Sequence, residues 1–389
     1  MTDMATLARR TREFSTTMLL GSALTLFGAF RAAAQAPAAD QATAVPDPSP
    51  STSFIRSVQV GALVDGYYVH DGNRPPGDAP YRNFDTRHNR AAFNMAEVWL
   101  NKNSTADQRI GFNVKLNVGP AATIIHAGEP GTITGLHNVE QAYVSYLVPA
   151  GKGLQIDVGK FVTQHGAEVI ESRDNWNYSR SLLFALAIPY YHMGVRAAYT
   201  FNDKLTLLGT IVNGWNAVVD NNRRKSYGVQ AALKPVPALS IVQNYMGGPE
   251  QPDDNADWRH LSDTTVTYTL TPAVSLMANY DYGKDTLVGK GVRWDGIAGY
   301  AKIQANKRVA FSPRVEWFED SDGFMTGTAQ TLKEVTLTGE VTLADNLLWR
   351  VEFRHDLSDV ASFRTDRGAL MKTQNTIGFG VLYSFSTKP

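Results

Sequence analysis

The chain has 389 residues, with 37 basic and 37 acidic side chains and a net charge of zero. That balance excludes the basic footprint of a nucleic-acid binder, and the absence of cysteine excludes a disulfide framework and thiol chemistry. A hydrophobic content of 43% is that of a soluble protein, but a membrane barrel shows lipid only every second residue, so its average stays low as well.

Residues 1–36 read as a signal peptide. Arg9, Arg10 and Arg12 give a positive start, and the apolar run from Met18 to Phe30 is too short to span a bilayer. Ala32, Ala33, Ala34, Gln35 and Ala36 then offer the small residues a signal peptidase accepts. Cleavage is expected before Gln35, because Pro37 is a poor residue just after a cut. The alternative, an amphipathic N-terminal helix of a cytosolic protein, is disfavoured by the order of the three regions. Residues 37–53, rich in Pro, Ala, Ser and Thr, read as a flexible periplasmic linker. No later stretch reaches the ~18–20 apolar residues of a membrane helix, so residues 54–389 can enter a membrane only as a barrel.

From about residue 55 onward the period is two. Val309, Phe311, Pro313, Val315 and Trp317 share one face, opposite Arg308, Ser312, Arg314 and Glu316. Trp349, Val351 and Phe353 alternate with Arg350, Glu352 and Arg354, and Val335, Leu337 and Val341 with Glu334, Thr336 and Glu340. Ile110, Phe112, Val114 and Leu116 oppose Asn113, Lys115 and Asn117, and Val195, Ala197 and Tyr199 mark another face. Such alternation means strands with one apolar and one polar face. The stretches begin near residues 55, 93, 107, 138, 154, 192, 204, 226, 238, 260, 272, 293, 307, 332, 346 and 374. Most approach the ~9–11 residues of a tilted membrane strand.

The gaps alternate in length. Residues 70–92, 119–137, 163–191 and 214–225 are long; Ser104–Ala106, 149–153, Asp203, Pro235–Pro237, Thr271–Pro272, Asn306 and Ala344–Asp345 are short. Up-and-down outer-membrane barrels sort their connections in this way, with short periplasmic turns and long extracellular loops. The expected fold is therefore all-β, a transmembrane up-and-down antiparallel β-barrel of about sixteen strands, fourteen or eighteen lying within the counting error. Tyr67, Tyr68, Trp99, Tyr146, Tyr199, Tyr282, Trp317, Trp349 and Tyr383 lie near strand ends, as interfacial girdles require. Lys115, Arg196, Asp281, Arg314, Glu316, Arg350, Glu352 and Arg354 then line a wet lumen. Mixed charge there either tunes ion passage or forms salt bridges that stabilise the wall.

Segment 163–191 is the main functional candidate. It carries His165, Glu168, Glu171, Arg173, Asp174 and Arg180, followed by the apolar run Leu182 to Ile188. A loop in bulk water has no use for that run, whereas one folded into the barrel buries it and narrows the channel with its charges. The alternative is a surface loop or a short helix packed on the barrel rim. Asp253, Asp254 and Asp257 lack the spacing of a calcium loop and read as a solvated turn. His-Glu-x-x-His and Gly-x-Ser-x-Gly are both missing, and His355 with Ser358 is too local a pair for a hydrolase site.

Around this segment the sequence resembles the OmpL-like β-barrel porin family of Gram-negative envelopes. The residues that carry the likeness are Gly159-Lys160-Phe161, Gly166-Ala167-Glu168, Asn177-Tyr178-Ser179-Arg180-Ser181, Pro189 and Gly194-Val195-Arg196. The resemblance runs from about residue 58 to the C-terminus and implies an outer-membrane location and a channel role. It carries over no substrate and no catalytic residue. One departure is the end of the chain: Phe385 closes the last strand, but Ser386, Thr387, Lys388 and Pro389 follow the aromatic residue that insertion machinery reads. The expected function is passive diffusion of small hydrophilic solutes or ions, and the alternative is a non-conducting barrel with a structural or adhesive role. Expected partners are outer-membrane lipid and lipopolysaccharide outside and solutes or ions within. A homotrimer is left open, and no cofactor, metal or nucleic acid is expected.

Overall fold

The computed structural model describes residues 54–387, apart from Ile55, residues 132–134 and Val288. The signal peptide and linker expected over residues 1–53 lie outside the described residues, as do Lys388 and Pro389. The strands are β1 (Gln59–Asp71), β2 (Ala91–Lys102), β3 (Ile110–Val118), β4 (Val139–Val148), β5 (Leu154–Val162), β6 (Tyr191–Asn202), β7 (Leu205–Val212), β8 (Ser226–Val236), β9 (Leu239–Pro249) and β10 (Trp258–Thr271). They continue with β11 (Val274–Leu287), β12 (Lys290–Gln304), β13 (Val309–Asp320), β14 (Gln330–Ala344), β15 (Leu347–Ser358), the short pair β16 (Phe363–Arg364) and β17 (Leu370–Met371), and β18 (Thr373–Ser386). All except β16 and β17 form one closed barrel in chain order, sealed where β1 pairs with β18, for example Tyr68 with Phe379. Every pairing is antiparallel, so no backbone edge is left for lipid to solvate.

The sequence-predicted stretches are the wall strands. The largest displacement is at the first, which starts at Gln59 instead of near residue 55. The last continues past Phe385, where Thr387 donates its N–H to Val60 and holds the end of the chain against β1. The loop rhythm has one exception, since β11 and β12 are joined by residues 288 and 289 alone.

Alternation sorts the faces as a pleated strand must. On β15, Trp349, Val351 and Phe353 are 50, 47 and 40% exposed on the outer wall, while Arg350, Glu352 and Arg354 are 1, 5 and 1% exposed on the inner one. Two girdle assignments are corrected: Tyr67 and Trp99 point inward and are buried, and Gly61 on β1 leaves the space Trp99 fills. Tyr68, Tyr146, Tyr282, Trp349 and Tyr383 do face outward. His355 is half-buried on the outer face and Ser358 is buried on the inner, so the two do not meet.

The buried apolar cluster lies inside the ring. Leu182, Leu183, Phe184 and Ile188 of the segment between β5 and β6 pack with Phe84 of the first loop and with Trp294 and Phe318 of the wall. Each such side chain, fully buried, contributes about 1.5–3 kcal/mol. The lumen of this barrel therefore has a core of its own.

Candidate functional site

Residues 163–190 leave β5, cross the lumen and return to β6, so the segment lies inside the barrel and not on its rim. A buried loop needs partners for its backbone polar groups, and the charged inner face of β13, β14 and β15 provides them. Arg350 donates to the carbonyls of Ser172 (2.5 Å), Asn175 (2.5 Å) and Asn177 (2.9 Å). Arg314 donates to Ser179 O (2.8 Å) and Arg180 O (3.3 Å), and Arg354 to Arg180 O (2.8 Å). Glu352 accepts from the N–H groups of Tyr178 (2.8 Å) and Ser179 (3.1 Å), and Glu316 from that of Leu182 (2.5 Å).

These wall charges are themselves paired. Arg314 meets Glu334 at 2.7 Å and the segment's own Glu168 at 2.9 Å. Arg350 meets Glu340 at 2.7 Å, and Arg354 meets Asp356 at 2.7 Å and Glu334 at 3.3 Å. Asn177 adds a bond from its amide to Thr338 (2.7 Å), and the Tyr178 hydroxyl donates to Asp65 on β1 (2.8 Å). The ring of Tyr178 lies where a side chain at Gly380 would stand; a Cβ there would come within 2.4 Å of it. Two strands along the same side of the wall from β13, Ala167 N–H donates to Asn279 on β11 (3.0 Å).

The far side of the segment meets β2, β3 and β4. Glu171 pairs with Lys115, whose ammonium also lies 3.5 Å from both Glu97 and Glu140. Those three carboxylates are close enough together to hold a cation, and the Lys115 ammonium already sits among them. Arg173 lies 4.6 Å above the Trp99 ring and pairs with its neighbour Asp174 at 3.1 Å; the Asp174 side chain is 45% exposed to the lumen. Arg180 is buried, turned back onto the carbonyls of Val169, Ile170 and Tyr178. Thr163 bridges two buried imidazoles, His165 and His192, at 3.1 Å each.

The first loop, residues 72–90, caps the segment from the loop end. Phe84 packs on Phe184 and Tyr190, Asn83 donates to the Tyr190 hydroxyl (2.9 Å), and Arg82 pairs with Asp85 at 2.8 Å. Below the segment, toward the short turns, a cavity of about 670 Å³ remains between it and strands β8 to β12.

The lumenal assignments divide accordingly. Arg314, Glu316, Arg350, Glu352 and Arg354 are on the inner face, but they are buried against the segment and grip its backbone. Asp281 is buried beside Asn279, which also donates to Asp263 (2.7 Å). Lys115 and Arg196 are half-buried, with Arg196 paired to Asp157 at 2.8 Å. Sequence reasoning passed over Glu334 and Glu340 as partners, Asp65 and Gly380 as seats for Tyr178, and the whole first loop. Cross-strand register carried a signal for one of them, because Glu340 stands directly opposite Arg350. Asp253, Asp254 and Asp257 form a turn in which Asp254 accepts from its own backbone at Ala256 (2.7 Å).

A closed antiparallel barrel whose lumen is crossed by a segment from one wall connection is the architecture of an outer-membrane porin. The family described as beta-barrel porin-2, OmpL-like, matches residues 57–385, and the chain belongs to it. Its place is the outer membrane and its role that of a channel for passive diffusion. Among solved structures, the fold is similar to an anion-selective porin from Comamonas acidovorans (TM-score 0.58, 11% identity, 85% of this chain and 99% of that one). It is similar also to the outer membrane channel DcaP of Acinetobacter baumannii (TM-score 0.56, 12% identity, 84% and 96%). A third is OmpT of Vibrio cholerae in a trimer form (TM-score 0.54, 13% identity, 84% and 99%). No curated protein matches the sequence.

Proposed function

We propose that this porin passes small hydrophilic solutes and ions with weak selectivity, set where residues 163–190 narrow the lumen. The observation that carries this reading is the seating of the segment across the lumen, with Arg173 and Asp174 left partly exposed next to the Glu171–Lys115 pair. Charges at a constriction act on passing ions over a Debye length, ~10 Å at 0.1 M salt and ~3 Å at 1 M. Arg173→Ala should therefore shift the reversal potential in a salt gradient toward cations and Asp174→Ala toward anions, with both shifts fading at 1 M salt. Identical reversal potentials for the two variants and the parent protein in dilute salt would remove this pair from the filter. The cover that residues 72–90 place over the segment favours a second reading, a non-conducting barrel with a structural or adhesive role. A purified barrel with no unit conductance in a planar bilayer would decide for it.

We further propose export with cleavage of the signal peptide before Gln35, a periplasmic linker at 37–53, and assembly as a homotrimer in contact with outer-membrane lipid and lipopolysaccharide. A trimer form of one structural relative supports the last. So does a polar patch on the outer wall, where Thr264 donates to Gln243 (2.6 Å) and Gln243 donates to Ser262 (3.1 Å) near the middle of β9 and β10. Native mass spectrometry of outer-membrane material should give three copies, each beginning near Gln35. An intact Met1 would contradict the export, and a single copy the trimer.

A further inference from the structure

The cavity beneath the inserted segment has its own chemistry. On β10, Thr265, Thr267, Thr269 and Thr271 occupy every second position and line it, a row running from the segment to the short turns. Across the wall, Thr267 stands in register with Ser240 on one side and Met277 on the other, and Met277 with Tyr300. The rings of Trp176 and Tyr300, in edge-to-face contact at 6.4 Å, line it from the segment and the wall. Gln164 closes the upper end. It is 3% exposed, and among the described residues neither its amide nitrogen nor its amide oxygen has a partner; the Thr265 hydroxyl has none either.

A buried amide with both ends unused costs free energy, and that cost is removed when a solute brings both an acceptor and a donor. Charge in the lining is largely answered within the protein, since Glu168 holds Arg314 and Asp174 holds Arg173, leaving Lys234 near the short turns. An ion stripped of water would find little here to replace its hydration. A neutral solute rich in hydroxyls would find donors and acceptors at regular spacing and aromatic surface for its C–H faces. The volume falls within the ~300–1,000 Å³ of small-molecule sites.

We propose that this cavity binds neutral polyhydroxylated solutes, mono- or oligosaccharide in class, on their way through the barrel. The inference rests on the channel reading above, and binding and conduction can be read separately. Titration calorimetry of maltotriose into the detergent-solubilised protein should show binding. In a planar bilayer, maltotriose should interrupt the KCl current, at lower concentration when added on the side of the short turns. The triple variant Thr265→Val, Thr267→Val, Thr269→Val should keep its KCl conductance and bind maltotriose roughly tenfold or more weakly, as the loss of several hydrogen bonds implies. Gln164→Leu, a single change, should weaken binding in the same direction should the triple variant not fold. Absence of maltotriose binding to the parent protein, or equal binding by the variants, overturns the inference. Binding without any KCl conductance leaves the site standing and overturns the channel reading alone.

Discussion

Arg350→Ala should release the inserted segment and raise the unit conductance while the barrel remains closed. The guanidinium holds the carbonyls of Ser172, Asn175 and Asn177 and the carboxylate of Glu340. Alanine would leave those carbonyls buried without their donor and Glu340 with only the more distant Lys302, at 3.6 Å. Breaking a buried pair from one side costs about 3–5 kcal/mol. At one factor of ten per ~1.4 kcal/mol, the undocked population would rise by roughly 10² to 4 × 10³. The wall holds itself by its closed ladder of backbone bonds, so the variant should still run as a folded barrel in an unheated detergent gel. Larger current steps, or long excursions to a larger step, are the expected record. A folded variant whose step size and current noise match the parent would show that the segment does not narrow the path.

Acidification should release the same segment without any mutation. His165 is wholly buried, and burial, with the neighbouring His192 adding to it, holds its imidazole down at about 3 against an ordinary 6.5. The docked segment therefore refuses a proton that the undocked, solvated one accepts near its ordinary value. Docking keeps its full stability above about pH 6.5 and loses it progressively as pH falls through the window from 6.5 toward 3. At pH 4.5 the loss is about 2–3 kcal/mol from this one group. Glu171 acts in a lower window. Burial would raise it, but the Lys115 ammonium and Arg173 outweigh burial and hold it at about 2. Its contribution is present above its ordinary value, about 4.5, and fades only below that. Conductance should rise between pH 6.5 and 4.5, and a flattened response in His165→Gln assigns the rise to His165 rather than to the neighbouring His192. A parent channel insensitive to pH across that interval would refute the mechanism.

The wall was legible in the sequence because two independent rules constrain it. Period-two alternation puts Val351 and Arg350 on opposite faces wherever the strand lies, and the sorting of connection lengths fixes which ends turn. The segment 163–190 was legible for a different reason: Leu182 to Ile188 has no stable place in water. What stayed hidden is depth. Whether Arg314 meets open lumen or the carbonyl of Ser179 depends on how far along a tilted strand the segment descends, and that is set by contacts remote in sequence, such as Tyr178 with Asp65 and Gly380. Tyr67 and Trp99 were misplaced because an aromatic near a strand end fits a girdle and a lumenal core equally well, and parity decides only once register is known. The cap by residues 72–90 rests on Phe84 meeting Phe184, a pairing no local pattern announces.

The wall arginines and glutamates take hold of the segment mainly through its peptide groups, from Ser172 O to Leu182 N. Anchorage and the proposed filtering are thereby written in different alphabets. The main chain of 172–182 carries much of the attachment, joined by the side chains of Asn177 and Tyr178, while Arg173 and Asp174 pair with each other, Arg173 lying over the Trp99 ring. Under the filter proposed above, those two positions should act as an exchangeable cartridge: reversing, doubling or erasing their charges should give a series of channels of graded ion preference, all hung from the same hooks.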